Sequence, residues 1–185
     1  MTGPRWIALI GMMGVGKTSV GRIVAENLGC SFADLDDLVS QDDPDQRHCA
    51  RILEDFGEGI FRSLEYRSLS RWVEGLAQDV SVISLGGGAV THPGVRDLLQ
   101  AESAWVVWLA APPAVIVQRL LKDPGDRPLL ESSTSPEDLL VRVAQLYAER
   151  EGFYGANASA LFSVSSRTPE EIAKEIAERF PKGSL

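Results

Sequence analysis

Short apolar segments alternate with longer amphipathic segments along the whole chain. The apolar segments are typical of buried strands, whereas the amphipathic ones repeat apolar residues at helical spacing. Strands are predicted at residues 5–10, 31–35, 81–85, 105–109 and 161–164. Helices are predicted at residues 17–28, 47–56, 60–76, 93–100, 112–121, 137–151 and 169–179. The alternation predicts one α/β domain over residues 1–185, with a five-stranded parallel sheet flanked by helices.

The sequences that follow the first three predicted strands differ from the rest of the chain. Residues 11–18 are rich in glycine, residues 34–37 are acidic, and residues 86–88 are three consecutive glycines. Ligands of parallel α/β sheets bind at the carboxyl ends of the strands. These three segments are therefore predicted to form one site. Residues 122–136 are polar and rich in Pro, Gly, Ser and Thr, which predicts a mobile loop beside it.

The segment at 11–18 reads GMMGVGKT and matches the phosphate-loop pattern G-x-x-x-x-G-K-[ST]. In this pattern the backbone N–H groups surround phosphates, Lys17 adds a positive charge, and Thr18 offers a hydroxyl to Mg²⁺. The following helix points its positive end at the same ligand. Nucleotide phosphates are predicted to contact Gly14, Val15, Gly16, Lys17, Thr18 and Ser19.

The acidic pair Asp34 and Asp36 has one residue between its members, so both side chains would lie on the same side of a strand. One carboxylate would then hold Mg²⁺ directly or through water, and the other would accept a hydrogen bond from a substrate hydroxyl and act as a base. The alternative is that Asp36 or Asp37 caps a helix that begins near Leu38.

The charge balance limits the partners. The chain has 26 acidic and 18 basic residues, a net charge of −8, which argues against nucleic acid or an anionic membrane as a partner. No apolar run approaches the ~20 residues that span a bilayer. Two cysteines make neither a disulfide scaffold nor a cysteine zinc site, so we expect a reducing, cytoplasmic location.

Fourteen of the 18 basic residues are arginines. The planar guanidinium of arginine binds carboxylate and phosphate groups through two parallel hydrogen bonds. Arg62, Arg127 and Arg150 stand out by context. Each is either a solvated surface residue or a ligand for a bound anion, and an arginine in a loop can stabilise transition-state charge in phosphoryl transfer. The three glycines at 86–88 form either a turn or a close backbone approach to a ligand.

In combination, these residues resemble the shikimate kinase family of small phosphate-loop kinases, over about residues 6–180. The motifs that carry the resemblance are GMMGVGKTS at 11–19, Asp34-Leu35-Asp36, Gly57-Glu58-x-x-Phe61-Arg62-x-x-Glu65, SLGGGAV at 84–90, and Arg127-Pro128-Leu129-Leu130 followed by Arg150 and Tyr154. The segment at 41–56 departs from the pattern usual in the family.

The resemblance implies transfer of the γ-phosphate of ATP to the 3-hydroxyl of shikimate, with Mg²⁺, in aromatic amino acid biosynthesis. On the donor side, it implies that Asp34 assists the Mg²⁺ at Thr18 through the water shell of the ion. Arg127, on a closing lid at 122–136, would contact the phosphates and the acceptor. Arg119 and Pro169 match the adenine contacts of the family.

On the acceptor side, the resemblance implies an acceptor-binding subdomain at about 34–62. Asp36 would hydrogen-bond the ring hydroxyls and act as base, and Arg62 and Arg150 would clamp the shikimate carboxylate. The ring would lie against Gly86, Gly87 and Gly88. The catalytic residues implied are Asp36, Lys17 and Arg127.

Two other functions stay open. The chain would be a related small-molecule kinase, such as a gluconate kinase or a nucleoside monophosphate kinase, or a nucleotide-binding homologue without catalysis. For the shikimate kinase function, a monomer is expected. Catalysis by a kinase predicts that four cations converge in one positive cleft on an acidic protein: Lys17, Arg62, Arg127 and Arg150.

Overall fold

The computed structural model describes residues 4–77, 80–101, 103–122 and 135–181, and within them five strands alternate with seven α-helices. The strands are β1 (Trp6–Ile10), β2 (Ser31–Asp34), β3 (Ser81–Ser84), β4 (Ala104–Ala110) and β5 (Ala160–Ser163). The helices are α1 (Lys17–Leu28), α2 (Leu35–Asp42), α3 (Cys49–Glu74), α4 (Pro93–Leu99), α5 (Pro113–Lys122), α6 (Pro136–Asn157) and α7 (Pro169–Arg179). A short 3-10 turn at Ala89–Thr91 precedes α4.

The described strands form one parallel sheet in the order β2-β3-β1-β4-β5, which confirms the predicted α/β class. All five residues of β1 are buried, as expected for the central strand. The register pairs Asp34 with Ser84 and Ser84 with Leu9. The carboxyl ends of the first three strands are therefore level, and the segments that follow them start from the same edge of the sheet.

The direction of the crossovers assigns the helices to layers. From β1 the chain crosses to β2 at one edge of the sheet, and from there it returns in the opposite direction through β3 and β4 to β5 at the other edge. Because the crossovers are right-handed, α1 lies on one face of the sheet and the helices from α2 to α6 lie on the other. Helix α7 returns to the first face, where it packs against α1. None of the described helices has the length and apolar character needed to cross a membrane.

Three elements differ from the prediction. Helix α2 begins at Leu35, directly after β2, whereas a helix was predicted there only as an alternative that begins near Leu38. Helix α6 extends to Asn157 rather than 151. The helices predicted at 47–56 and 60–76 join as α3 across a kink at Gly57, whose φ of 78° and ψ of 167° are not helical. Glycine reaches this φ without the steric penalty of a side chain. Residues 123–134 of the predicted lid lie outside the described residues.

Candidate active site

The phosphate loop takes the predicted strand-loop-helix form. Gly14 and Gly16 have φ angles of 71° and 100°, which side chains disfavour, and α1 starts at Lys17. Lys17 is buried, and its Nζ donates hydrogen bonds to the carbonyl oxygens of Gly11 at 3.0 Å and Met12 at 2.9 Å. The ammonium group is thus held against the loop at the N-terminus of α1, where anions bind favourably.

The hydroxyl of Thr18 lies beside the first acidic residue. Thr18 Oγ1 donates a hydrogen bond to Asp34 Oδ2 at 2.7 Å. Hydroxyl and carboxylate oxygens are ligands that suit Mg²⁺, which commonly takes its other ligands from phosphate and water. Within the described ranges no group of three or more His, Cys, Asp or Glu side chains could hold a metal. The Thr18 hydroxyl and the Asp34 carboxylate, beside the phosphate loop, fit an ion that arrives with a nucleotide.

The predicted arrangement of the acidic pair was wrong in one respect. Asp34 ends β2 and caps α2, with Oδ1 accepting a hydrogen bond from the Asp36 backbone N–H at 3.1 Å. Asp36 therefore lies in the first turn of a helix rather than on the strand. The helix proposed in the alternative exists, but its cap is Asp34 and not Asp36 or Asp37. Asp34 thus combines a capping role with the contact to Thr18.

Asp36 is exposed to solvent at the edge of the site. Desolvation by the surrounding cleft and the neighbouring Asp34 charge raise its pKa, while Lys17 and Arg62 act in the opposite direction. A carboxylate placed between these charges can accept a proton more readily than an ordinary aspartate. This is the property that a base for hydroxyl activation requires.

Arg62 is buried between two glutamates of its own helix. Its Nη1 donates to Glu65 Oε2 at 2.6 Å, and its Nε and Nη2 donate to Glu58 Oε1 at 3.2 Å and 2.7 Å. Glu65 is 0% exposed, and burial raises its pKa to about 7 although the Arg62 charge lowers it. The guanidinium is therefore fixed on one edge by a buried partner and on the other by an exposed one.

Arg150 lies in the middle of α6, although the sequence placed it near a helix end. It is 2% exposed, its Nη2 lies 3.7 Å from Glu58 Oε1, and its Nη1 has no hydrogen-bond partner among the described residues. Burial lowers its pKa. One turn later, the Tyr154 hydroxyl donates to the Gly87 carbonyl and lies 3.6 Å from Met12 Sδ. The contact ties α6 to the glycine segment and the phosphate loop.

The three glycines at 86–88 lie against Glu65, the phosphate loop and Arg62. A Cβ atom on Gly86 would overlap Glu65 Oε1, and one on Gly88 would overlap the Arg62 guanidinium. A Cβ atom on Gly87 would lie 2.9 Å from the backbone nitrogen of Met13. A side chain at any of these three positions would therefore meet atoms of the protein itself, before any ligand is considered.

The remaining predicted residues lie around the phosphate loop or outside the described residues. Arg119 donates to the Val15 carbonyl at 2.8 Å and to the Val164 carbonyl at 2.7 Å, so it joins the phosphate loop to the segment after β5. Pro169 is exposed in the first turn of α7, a few residues after Val164. Arg127 lies outside the described residues.

Three of the four predicted cations thus meet at one end of the sheet: Lys17 and Arg62 act on Asp36, and Arg62 shares Glu58 with Arg150. The sequence reasoning assigned no role to Glu58, Glu65 or Tyr154. Glu58 and Glu65 lie four residues before and three residues after Arg62 on a helix, and these spacings would have predicted that both pair with it. No comparable signal links Tyr154 to Gly87, since that contact joins distant segments.

Comparison with known proteins adds independent information. The sequence profile of the shikimate kinase family matches residues 13–181. A protein named shikimate kinase from a Synechococcus strain is 39% identical over 180 residues, which cover 96% of this chain and 83% of the relative. The structure of shikimate kinase from Acinetobacter baumannii in complex with shikimate is similar with a TM-score of 0.83 and 30% identity, over 95% of this chain and 92% of that one. A gluconokinase from Sinorhizobium meliloti shares the fold, with a TM-score of 0.63 and 21% identity over 96% and 92% of the two chains.

Proposed function

This chain belongs to the shikimate kinase family, and we propose that the cleft around Asp36, Arg62 and Arg150 is where it transfers the γ-phosphate of ATP to the 3-hydroxyl of shikimate. The protein is an ATP-dependent shikimate kinase, and the products are shikimate 3-phosphate and ADP. The reaction belongs to aromatic amino acid biosynthesis. The observation that carries the assignment of the site is the buried pair Arg62 and Arg150, whose guanidinium groups come from different helices and both approach Oε1 of Glu58.

On the donor side, the phosphate loop and Lys17 would bind the β- and γ-phosphates of ATP. Thr18 and Asp34 would hold Mg²⁺, which neutralises phosphate charge when bound. The predicted contacts of Val15 and Ser19 rest on their positions in the loop and in the first turn of α1. Arg119 supports the proposed nucleotide site directly, because its hydrogen bond to Val15 holds the loop in shape.

On the acceptor side, Arg62 and Arg150 would bind the carboxylate of shikimate in the two-pronged manner that guanidinium groups favour. Asp36 would accept a hydrogen bond from the reacting hydroxyl and take its proton as the phosphoryl group arrives. Gly86, Gly87 and Gly88 would leave room for the ring beside the arginines. Catalysis would then depend on positioning and charge stabilisation, with no covalent enzyme intermediate.

Other parts of the proposal come from the family resemblance. Residues 34–62 form the acceptor-binding subdomain, and residues 122–136 act as a lid that carries Arg127 to the phosphates. Arg119 and Pro169 contact the adenine. We propose a cytoplasmic monomer that acts on small molecules without nucleic acid or membrane partners, and the free thiols of Cys30 and Cys49 in the described structure agree with a reducing compartment.

The assay that tests the activity measures ADP release with shikimate, gluconate and nucleoside monophosphates as separate acceptors, each with Mg²⁺ and ATP. We expect turnover with shikimate far above that with the others, because two arginines favour a carboxylate and the cleft has hydroxyl acceptors. A shikimate rate equal to the ATPase background would refute the proposal. A preference for gluconate or a nucleotide would select the related kinases instead, and ATP binding without any turnover would select a non-catalytic homologue.

A further inference from the structure

Glu58 occupies the place between the two acceptor-site arginines. Its Oε1 atom accepts hydrogen bonds from Nε and Nη2 of Arg62, at 3.2 Å and 2.7 Å, and lies 3.7 Å from Nη2 of Arg150. One oxygen of the protein thus meets two guanidinium groups that come from different helices. Partial burial tends to raise the pKa of Glu58. The hydrogen bonds and charge of Arg62, together with the charge of Arg150, outweigh this and hold the pKa below its ordinary value.

Glu58 is not required to hold Arg62 in place. The fully buried side chain of Glu65 already binds Nη1 of Arg62. Gly88 also packs directly against the Arg62 guanidinium. The side chain of Glu58, in contrast, is 49% exposed and follows the kink at Gly57. Its carboxylate can therefore leave the arginines by changing rotamer, while Arg62 stays fixed.

The contact between Glu58 and the arginines is also incomplete. The single atom Oε1 of Glu58 accepts hydrogen bonds from both Nε and Nη2 of Arg62. In a bidentate pair, each of the two carboxylate oxygens would accept from one of these nitrogens. Nη1 of Arg150 has no hydrogen-bond partner in the described part of the chain, although it is buried. A ligand carboxylate that enters from the cleft has two oxygens to offer to these donors.

We propose that Glu58 is an internal carboxylate that occupies the carboxylate subsite of the acceptor and must be displaced by any anion that binds there. The inference rests on the proposed function. While Glu58 is in place, the charges of Arg62 and Arg150 are balanced by Glu58 and Glu65, so a simple anion gains little by entering. An acceptor that also bonds Asp36 through its hydroxyls has the additional binding energy that displaces Glu58. Glu58 thus lowers the affinity of the cleft for all carboxylates, and only those with a hydroxylated ring keep enough binding energy to occupy it.

The test measures binding of benzoate, a ring carboxylate without hydroxyls, by calorimetry to the intact protein in the absence of nucleotide. The variants are Glu58→Gln, Glu58→Asp and, as a matched control, Glu74→Gln, which removes an exposed charge at the end of the same helix. We expect Glu58→Gln to bind benzoate about tenfold more tightly than the unaltered protein, and the control to match the unaltered protein. Glu58→Asp keeps the charge but has a shorter reach, so it should also bind more tightly.

A parallel measurement separates displacement from positioning. The KM for shikimate should fall in Glu58→Gln by a factor similar to the gain in benzoate affinity, because both ligands must displace the same carboxylate. Unchanged or weaker benzoate binding, or a higher KM for shikimate, would overturn the proposal and make Glu58 a support for Arg62. The same benzoate affinity in Glu58→Asp as in the unaltered protein would reduce the effect to net charge and also overturn it. Benzoate binding does not depend on turnover, so failure of the proposed function would be seen separately, as absent turnover of shikimate by the unaltered enzyme.

Discussion

Glu65 accepts a hydrogen bond from Nη1 of Arg62 at 2.6 Å while its own side chain is wholly buried. The second oxygen of the same carboxylate, Oε1, has no hydrogen-bond partner among the described residues and lies where a Cβ atom on Gly86 would be. This ion pair fixes the arginine that we place on the acceptor carboxylate, and it connects that arginine to the glycine segment.

Loss of this pair should be costly to the fold. For Glu65→Ala we expect a decrease in the free energy of unfolding of about 3 kcal/mol, because removal of one partner leaves a buried charge without its closest counterion. Urea unfolding checks the value. The control Glu74→Ala, at an exposed position of the same helix, should stay within about 0.5 kcal/mol of the unaltered protein. A loss no larger than that of the control would contradict the importance of the pair.

The same carboxyl makes stability depend on pH. Its pKa is about 7 in the folded protein against an ordinary value of 4.5, so the folded state binds the proton more tightly than the unfolded state. Its contribution to stability is complete below pH 4.5 and is lost as the pH rises through 7. Relative to Glu65→Gln, which does not titrate, the unaltered protein should become less stable from pH 5 to pH 8. Parallel stability curves for the two proteins over that range would be inconsistent with the shift.

Lys17 should be essential for turnover. Its ammonium lies against the phosphate loop and, in the proposed function, compensates charge on the transferring phosphoryl group. Lys17→Ala should reduce kcat by at least about a hundredfold. Lys174→Ala, an exposed substitution on α7, serves as the control in the same assay. Normal turnover in Lys17→Ala would remove the residue from the phosphate site.

Arg150 should determine acceptor affinity. Arg150→Ala is expected to raise the KM for shikimate by about 10- to 100-fold, since a hydrogen bond from a charged group to the substrate is lost. Arg150→Lys should restore only part of the affinity, because lysine keeps the charge but not the two-pronged contact. The KM for ATP should change little. An unaltered KM for shikimate would exclude Arg150 from the acceptor site.

Gly88 offers a test that separates site geometry from stability. A methyl group in Gly88→Ala would displace the Arg62 guanidinium, so the KM for shikimate should rise by about tenfold. In the control Gly152→Ala, on α6, the added Cβ meets no atom within 4 Å, and its kinetics should be unchanged. We compare both variants by steady-state kinetics and by thermal unfolding. Equal KM values for the two would show that Arg62 adapts to the methyl group.

The sequence by itself determined the fold class, the phosphate loop, and the segments that meet at the proposed site. Strand and helix periodicity is repeated within each element, and the pattern at 11–18 binds phosphate through its own backbone, so neither signal depends on distant contacts. The order of the strands was not predicted. Helix α2 was predicted only as an alternative, with a start near Leu38 instead of Leu35, because its cap, Asp34, also ends β2 and eight residues offer little periodic signal.

Only the tertiary structure decided how the charges are paired. Glu58 and Arg150 are 92 residues apart in the chain and meet only because the fold brings their side chains on α3 and α6 together. Tyr154 bonds to Gly87 because α6 packs against the 3-10 turn that follows the glycines. The sequence shows that these side chains have charges and donors, but burial, which decides whether a guanidinium is a solvated surface group or a fixed binding group, depends on how the helices pack on the sheet.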